Sequence, residues 1–136
     1  MIGGRIFDTS AILDFSRGRG GTQYTQAVVW HSLEDGLVIV TPAPAVAAAI
    51  AQLPDHRHDV VDVLLGLPIT VVTETTRGSI PALAQVLRPA NAQAAYAGTA
   101  GAVALAAQQR GWPVLTRDPK PLSDLWPDLR LEVIPA

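Results

Sequence analysis

The sequence predicts an α/β fold, a three-layer sandwich with a central parallel sheet of about five strands flanked by helices. Three observations point there. Short apolar, β-branched runs recur along the chain, bounded by turn residues. These runs are apolar almost throughout rather than alternating, as in sheets covered on both faces. Helix-length stretches separate them, and crossovers of that length join parallel strands rather than hairpins. The chain has 136 residues, 49% of them hydrophobic and 16% charged, which suits one packed domain over residues 1–136 and excludes a disordered segment.

Arg5–Asp8 opens as a short buried strand, and Thr9 or Ser10 can cap a helix over Ala11–Phe15. Ser16–Thr22 is a glycine-broken loop. Gln23–Glu34 reads as a helix with Tyr24, Ala27, Val28 and Trp30–His31 around one face, ended by Asp35–Gly36. Leu37–Val40 has the pattern of a buried parallel strand. Pro42 opens an Ala-rich helix running to Leu53, and Pro54 stops it. Asp55 is placed to cap the next helix, whose apolar positions are Val60, Val61, Val63, Leu64 and Leu65, with Gly66 and Pro68 ending it. Ile69–Thr73 reads as another buried strand. Ser79–Leu87 is a helix with Pro81 in its first turn, and Ala92–Arg110 is a long helix ended by Gly111. Pro113–Thr116, a helical turn near Leu122–Leu125 and the strand Leu131–Ile134 complete the order.

A formal net charge of −2 argues against a general nucleic-acid coating protein, which carries a strong positive charge. There is no cysteine, so thiol nucleophiles, disulfides and zinc–thiolate sites are excluded. That composition fits a reducing, cytoplasmic setting. The opening Met-Ile-Gly-Gly-Arg-Ile-Phe-Asp does not read as a signal peptide. The uncharged runs Leu37–Pro54 and Pro89–Gln109 are interrupted by Pro or by Asn, Gln and Gly, and read as buried helices rather than membrane spans.

In open parallel sheets ligands sit at the carboxyl ends of the strands. Two acids stand there: Asp8 after the first strand, and Asp118 just after the fourth. Asp8 beside Ser10 suits a hard cation, but on local sequence alone a helix cap is the favoured reading. Thr116-Arg117-Asp118 is also a natural turn before Pro119 and Pro121. Ser10, Thr99 and Thr116 can assist a metal through water.

The segment Ile6-Phe7-Asp8-Thr9-Ser10-Ala11-Ile12-Leu13 resembles the opening of a PIN domain. Gly111-Trp112-Pro113-Val114-Leu115-Thr116-Arg117-Asp118 resembles that family's C-terminal motif, and Val38-Ile39-Val40-Thr41-Pro42-Ala43 its second strand and following Pro. The resemblance extends to element order over essentially the whole chain. It implies a Mg²⁺- or Mn²⁺-dependent ribonuclease fold, in many members the toxin of a toxin–antitoxin pair, commonly a homodimer. It implies metal-holding acids after the first strand, on the helix after the second, at the start of the long helix, and after the fourth strand. Asp8 and Asp118 match the first and last positions. Ala48 and Ala100 fall where the middle two acids are expected, and no acid occurs between Asp35 and Asp55 or between Glu74 and Asp118.

Mg²⁺ binds through as few as one or two carboxylates plus water, whereas a two-metal hydrolase needs more. The expectation is therefore a degenerate PIN-like protein, catalytically weak or inactive, that acts by binding a protein partner (an antitoxin-like chain among them) or RNA or DNA. The alternative is an active metal-dependent endoribonuclease with an atypical site. A phosphoryl-accepting receiver is a weaker third reading, with Thr73-Glu74 its nearest acceptor.

Other residues have plainer readings. Asp14 is expected to point away from the acid pair, and Asp59 and Asp62 to form a solvated helix face. His56-Arg57-His58 reads as an exposed turn rather than a zinc site, since positions i and i+2 do not share a helix face. Arg17 and Arg19 sit in a flexible basic loop able to touch phosphate. Trp30, Trp112 and Trp126 read as packing residues, with Trp126 partly exposed.

Overall fold

A computed structural model describes residues 3–17, 22–88 and 99–135. The apolar runs form strands β1 (Gly4–Phe7), β2 (Val38–Pro42), β3 (Thr70–Thr73), β4 (Val114–Thr116) and β5 (Leu131–Val133). They pair into a five-stranded sheet in the order β3-β2-β1-β4-β5, every pair parallel. The helices are α1 (Thr9–Ser16), α2 (Tyr24–Asp35), α3 (Ala43–Gln52), α4 (His58–Gly66), α5 (Ile80–Leu87), α6 (Ala100–Arg110) and α7 (Pro119–Leu125). The three-layer α/β architecture is thus as the sequence predicts.

Successive strand residues feed opposite layers, as the two-residue period of a strand requires. Phe7, Ile39 and Leu115 join α1, α2 and α4 in one apolar cluster, while Ile6, Val40 and Val114 join α6 and α7 in the other. Helix α3 serves both, with Val46 and Ala49 in the first cluster and Ala45 in the second. The chain builds outward from β1 through β2 to β3, then returns to lay β4 on the other flank of β1. The sheet therefore has its topological switch point between β1 and β4, where a crevice opens at the strand ends.

Of the three cap candidates Asp8, Thr9 and Ser10, Asp8 caps α1: its carboxylate accepts the Ala11 N–H at 2.9 Å. Several other local expectations change. Asp55 caps nothing and lies inside a single 3₁₀ turn, Asp55–Arg57, that leads into α4. Pro42 closes β2 and also caps the start of α3, as the sequence predicts, while Pro44 takes the first turn of that helix. Gly66 is the last residue of α4, not its stop. Val63 faces solvent at 61% exposure, while Val61 and Leu64 are the buried residues of α4 and Leu65 packs at the edge of the first cluster.

β3 is an edge strand rather than a buried one, and its Val71 and Val72 are each 42% exposed. On α2 the buried face is Thr25, Val28, Val29 and Ser32, and Trp30 is 66% exposed instead of packed. The hydroxyls win these positions because each has an internal partner, Asp14 for Thr25 and the Val28 carbonyl for Ser32. Trp112 and Trp126 do pack, half-buried against the second cluster. The expected long helix is described from Ala100 to Arg110; residues 92–98 of that expectation lie outside the described residues. Gly36 and Gly111 end α2 and α6 with φ of 69°, a conformation glycine adopts without strain.

Among the described residues no helix is long and apolar enough to cross a membrane.

Candidate functional site

Asp8 is the first residue beyond β1, and Thr116 closes the neighbouring β4, so strand pairing alone sets them side by side. Asp8 Oδ1 accepts from the Ser10 hydroxyl at 2.6 Å and from the Ala11 N–H. Its Oδ2 accepts from the Thr116 hydroxyl at 2.5 Å. Each hydroxyl is itself held by the turn after β4: Ser10 Oγ accepts the Arg117 N–H at 2.7 Å, and Thr116 Oγ1 accepts the Asp118 N–H at 3.0 Å. The two strand-end motifs are therefore tied through four hydrogen bonds around one carboxylate.

Beside this carboxylate is a cavity of about 470 Å³. Its polar lining residues are Asp8, Thr9, Ser10, Thr99, Asp118 and, from the end of α3, Gln52. Leu13, Ala100, Val103, Pro121 and Leu122 complete the lining. Asp118 is exposed at its rim. Burial pushes the Asp8 carboxyl above its usual range, and hydrogen bonds from Ser10, Thr116 and Ala11 offset part of the rise. Among the described residues no Lys, Arg or His forms an ion pair with Asp8. The nearest guanidinium in sequence to Asp118, that of Arg117, turns instead to Asp14, 3.7 Å away.

The sequence-predicted residues separate here. Asp8, Ser10, Thr99, Ala100 and Asp118 share the cavity. Thr116 does not line it; fully buried, it spends its hydroxyl on Asp8. Ala48 is not among the lining residues either, and α3 reaches the cavity through Gln52 one turn later, whose amide donates to the Ala48 carbonyl at 3.1 Å. Arg17 is exposed at the end of α1, and Arg19 lies outside the described residues. Asp59 and Asp62 are exposed, and His58 is half-buried with its Nε2 3.1 Å from the Leu53 carbonyl.

Asp14 lies away from the cavity, yet it is not a surface acid. It is 1% exposed and accepts from the Thr22 N–H, the Thr22 hydroxyl and the Thr25 hydroxyl, the last at 2.7 Å. Burial opposes its charge, but these bonds outweigh burial and hold the carboxyl below its usual range. The sequence carried a signal for this: an acid inside the apolar stretch Ala11–Phe15. Nothing local named Thr22, Thr25 and Arg117 as its partners. Gln52, Leu13, Val103 and Leu122 were likewise missed, being ordinary helix residues until the fold brings them together.

Chemically, the carboxylates of Asp8 and Asp118 fit one hydrated divalent ion of the Mg²⁺ or Mn²⁺ kind, with water completing the shell. They do not fit a two-metal centre, and among the described residues no three His, Asp or Glu side chains gather. Fold and cleft thus define an α/β protein with an acidic cavity at the switch point of a parallel sheet. Compared with known proteins, the chain matches no family model, and no curated protein matches it in sequence.

Proposed function

We propose that the chain is a PIN-like protein that acts by binding, to a protein or a nucleic acid, rather than by efficient nuclease chemistry. One observation carries this reading. The cavity has two acids, Asp8 and Asp118, and the helices that face them present Gln52 and Ala100 where further metal ligands are needed. The motifs around Asp8 and Asp118 and the order of elements along the chain support the family likeness. The same reading carries a cytoplasmic homodimer, checked by sedimentation.

A second reading, an active Mg²⁺- or Mn²⁺-dependent endoribonuclease, draws on the raised pKa of Asp8, since perturbed carboxyls cluster at working sites. Calorimetric titration with Mn²⁺, with Asp8→Asn as control, separates the two. At most one weak ion and no RNA cleavage is the expected result. Sub-millimolar binding that is lost in the variant, together with RNA cleavage, overturns the binding-protein reading.

A further inference from the structure

We infer that the cavity takes an organic cation, a protonated amine or guanidine on a short aliphatic stem. This rests on the binding-protein reading of the same cleft and names its ligand chemistry.

The first observation is what the polar lining has left to offer. Thr9 donates its hydroxyl proton to the Ala45 carbonyl at 3.0 Å, and Ser10 donates its own to Asp8 at 2.6 Å. Gln52 commits one of its two amide N–H groups to the Ala48 carbonyl and keeps the other, together with an acceptor oxygen. Asp8 and Asp118 are acceptors when ionised. Among the described residues no Lys, Arg or His lines the cavity, and Arg117 is turned to Asp14. The remaining donors, the second Gln52 N–H, the Thr99 hydroxyl and the start of α6, carry no full charge, whereas the charged side chains among the described lining residues are the carboxylates Asp8 and Asp118. A phosphate meets two negative charges and no positive side chain; a donor-rich cation meets the reverse.

Size and the apolar part of the lining separate an organic cation from a metal ion. A cation with a full shell of water occupies on the order of 200 Å³, taking about 30 Å³ for each water. The cavity measures about 470 Å³, and Leu13, Val103, Pro121 and Leu122 are part of its lining. A hydrated ion gains nothing from these side chains. An alkyl stem gains by covering them while the charged head meets the carboxylates. Each added methylene is expected to strengthen binding by about fourfold until the apolar lining is covered.

The experiment is calorimetry on the full chain at low salt with ethylamine, butylamine, hexylamine and butylguanidine, alongside Mn²⁺ and inorganic phosphate. The inference expects saturable 1:1 binding that strengthens along the alkyl series, weakens at least fivefold in Asp118→Asn, and is absent for phosphate. Asp118 is exposed, so that variant keeps the core intact. No saturable amine binding, or binding indifferent to both chain length and Asp118→Asn, overturns the inference. If the amines fail while Mn²⁺ still binds weakly and RNA stays intact, only this inference falls. Two tight Mn²⁺ ions with RNA cleavage overturn the underlying reading as well. Doubly blocked lysine and arginine against 1,4-diaminobutane distinguish a partner's side chain from a free amine; tighter binding of either supports the shared chemistry.

Discussion

The Thr116 hydroxyl donates to Asp8 Oδ2 across 108 residues of sequence, and in the same position accepts the N–H of Asp118. One buried side chain thereby aligns both acids of the cavity. Thr116→Val keeps the shape and removes the hydroxyl. Hydrogen bonds to charged groups contribute about 1.5–3 kcal/mol, so a loss of that size is expected in denaturant unfolding at neutral pH. The loss shrinks in acid, because a protonated Asp8 no longer needs the donor.

Asp8 and Asp14 pull the pH dependence of stability in opposite directions. Asp14 has a depressed folded pKa, so its contribution is present above the unfolded value near 3.8 and is lost as pH falls through the lower folded value. Asp14→Asn is expected to cost about 1.5–3 kcal/mol at neutral pH and to converge on the wild type in acid, followed by urea midpoints across pH.

Asp8 has a raised folded pKa. Its contribution is present below about 3.8 and is lost as pH rises through the higher folded value. Asn caps a helix as well as Asp does. Asp8→Asn is therefore expected to gain stability relative to wild type as pH rises from 3.8 toward neutral. A pH-independent difference between the two chains in thermal unfolding counts against this assignment.

Gly4 tests the packing beneath the site. A Cβ there meets the Val38 carbonyl oxygen and lies 2.7 Å from the Trp112 ring, which itself carries the Arg110 guanidinium 5.8 Å from its centre. Gly4→Ala forces β1, β2 and the tryptophan apart, at an expected cost of about 1–3 kcal/mol by chemical denaturation. Tryptophan fluorescence should shift in the folded variant.

Adding acids tests the register of the site. Ala100 lines the cavity in the first turn of α6, where a helix N-terminus also favours negative charge. Ala100→Asp is expected to raise Mn²⁺ affinity about tenfold, and Gln52→Glu to do the same from α3. Ala48→Glu should add less, since the cavity is reached by Gln52 instead. No gain from Ala100→Asp means the helix is not placed as described.

The element order was legible because segments such as Leu37–Val40 and Ala102–Ala107 announce burial by composition alone. Helix ends were less legible. Asp8, Thr9 and Ser10 are all good caps, and only the close of β4 beside β1 commits Asp8 to both the cap and Thr116. The face of α2 was misread because Trp30 outweighs Thr25 on any hydropathy scale, while Thr25 carries the Asp14 bond that hydropathy does not see.

The sequence by itself determined the alternation of strands and helices, the acids at the ends of the first and fourth strands, and the lack of any acid between Glu74 and Asp118. These are properties of local pattern and of counting. The tertiary structure decided that β1 and β4 are neighbours, that β3 is an edge, and that Gln52 rather than Ala48 faces the cavity. It also decided that Arg117 answers Asp14, so that among the described residues no positive side chain lines the cleft. Each of these depends on which distant segments pack together, and that choice is made by the burial of whole faces at once, not by any run of neighbouring residues.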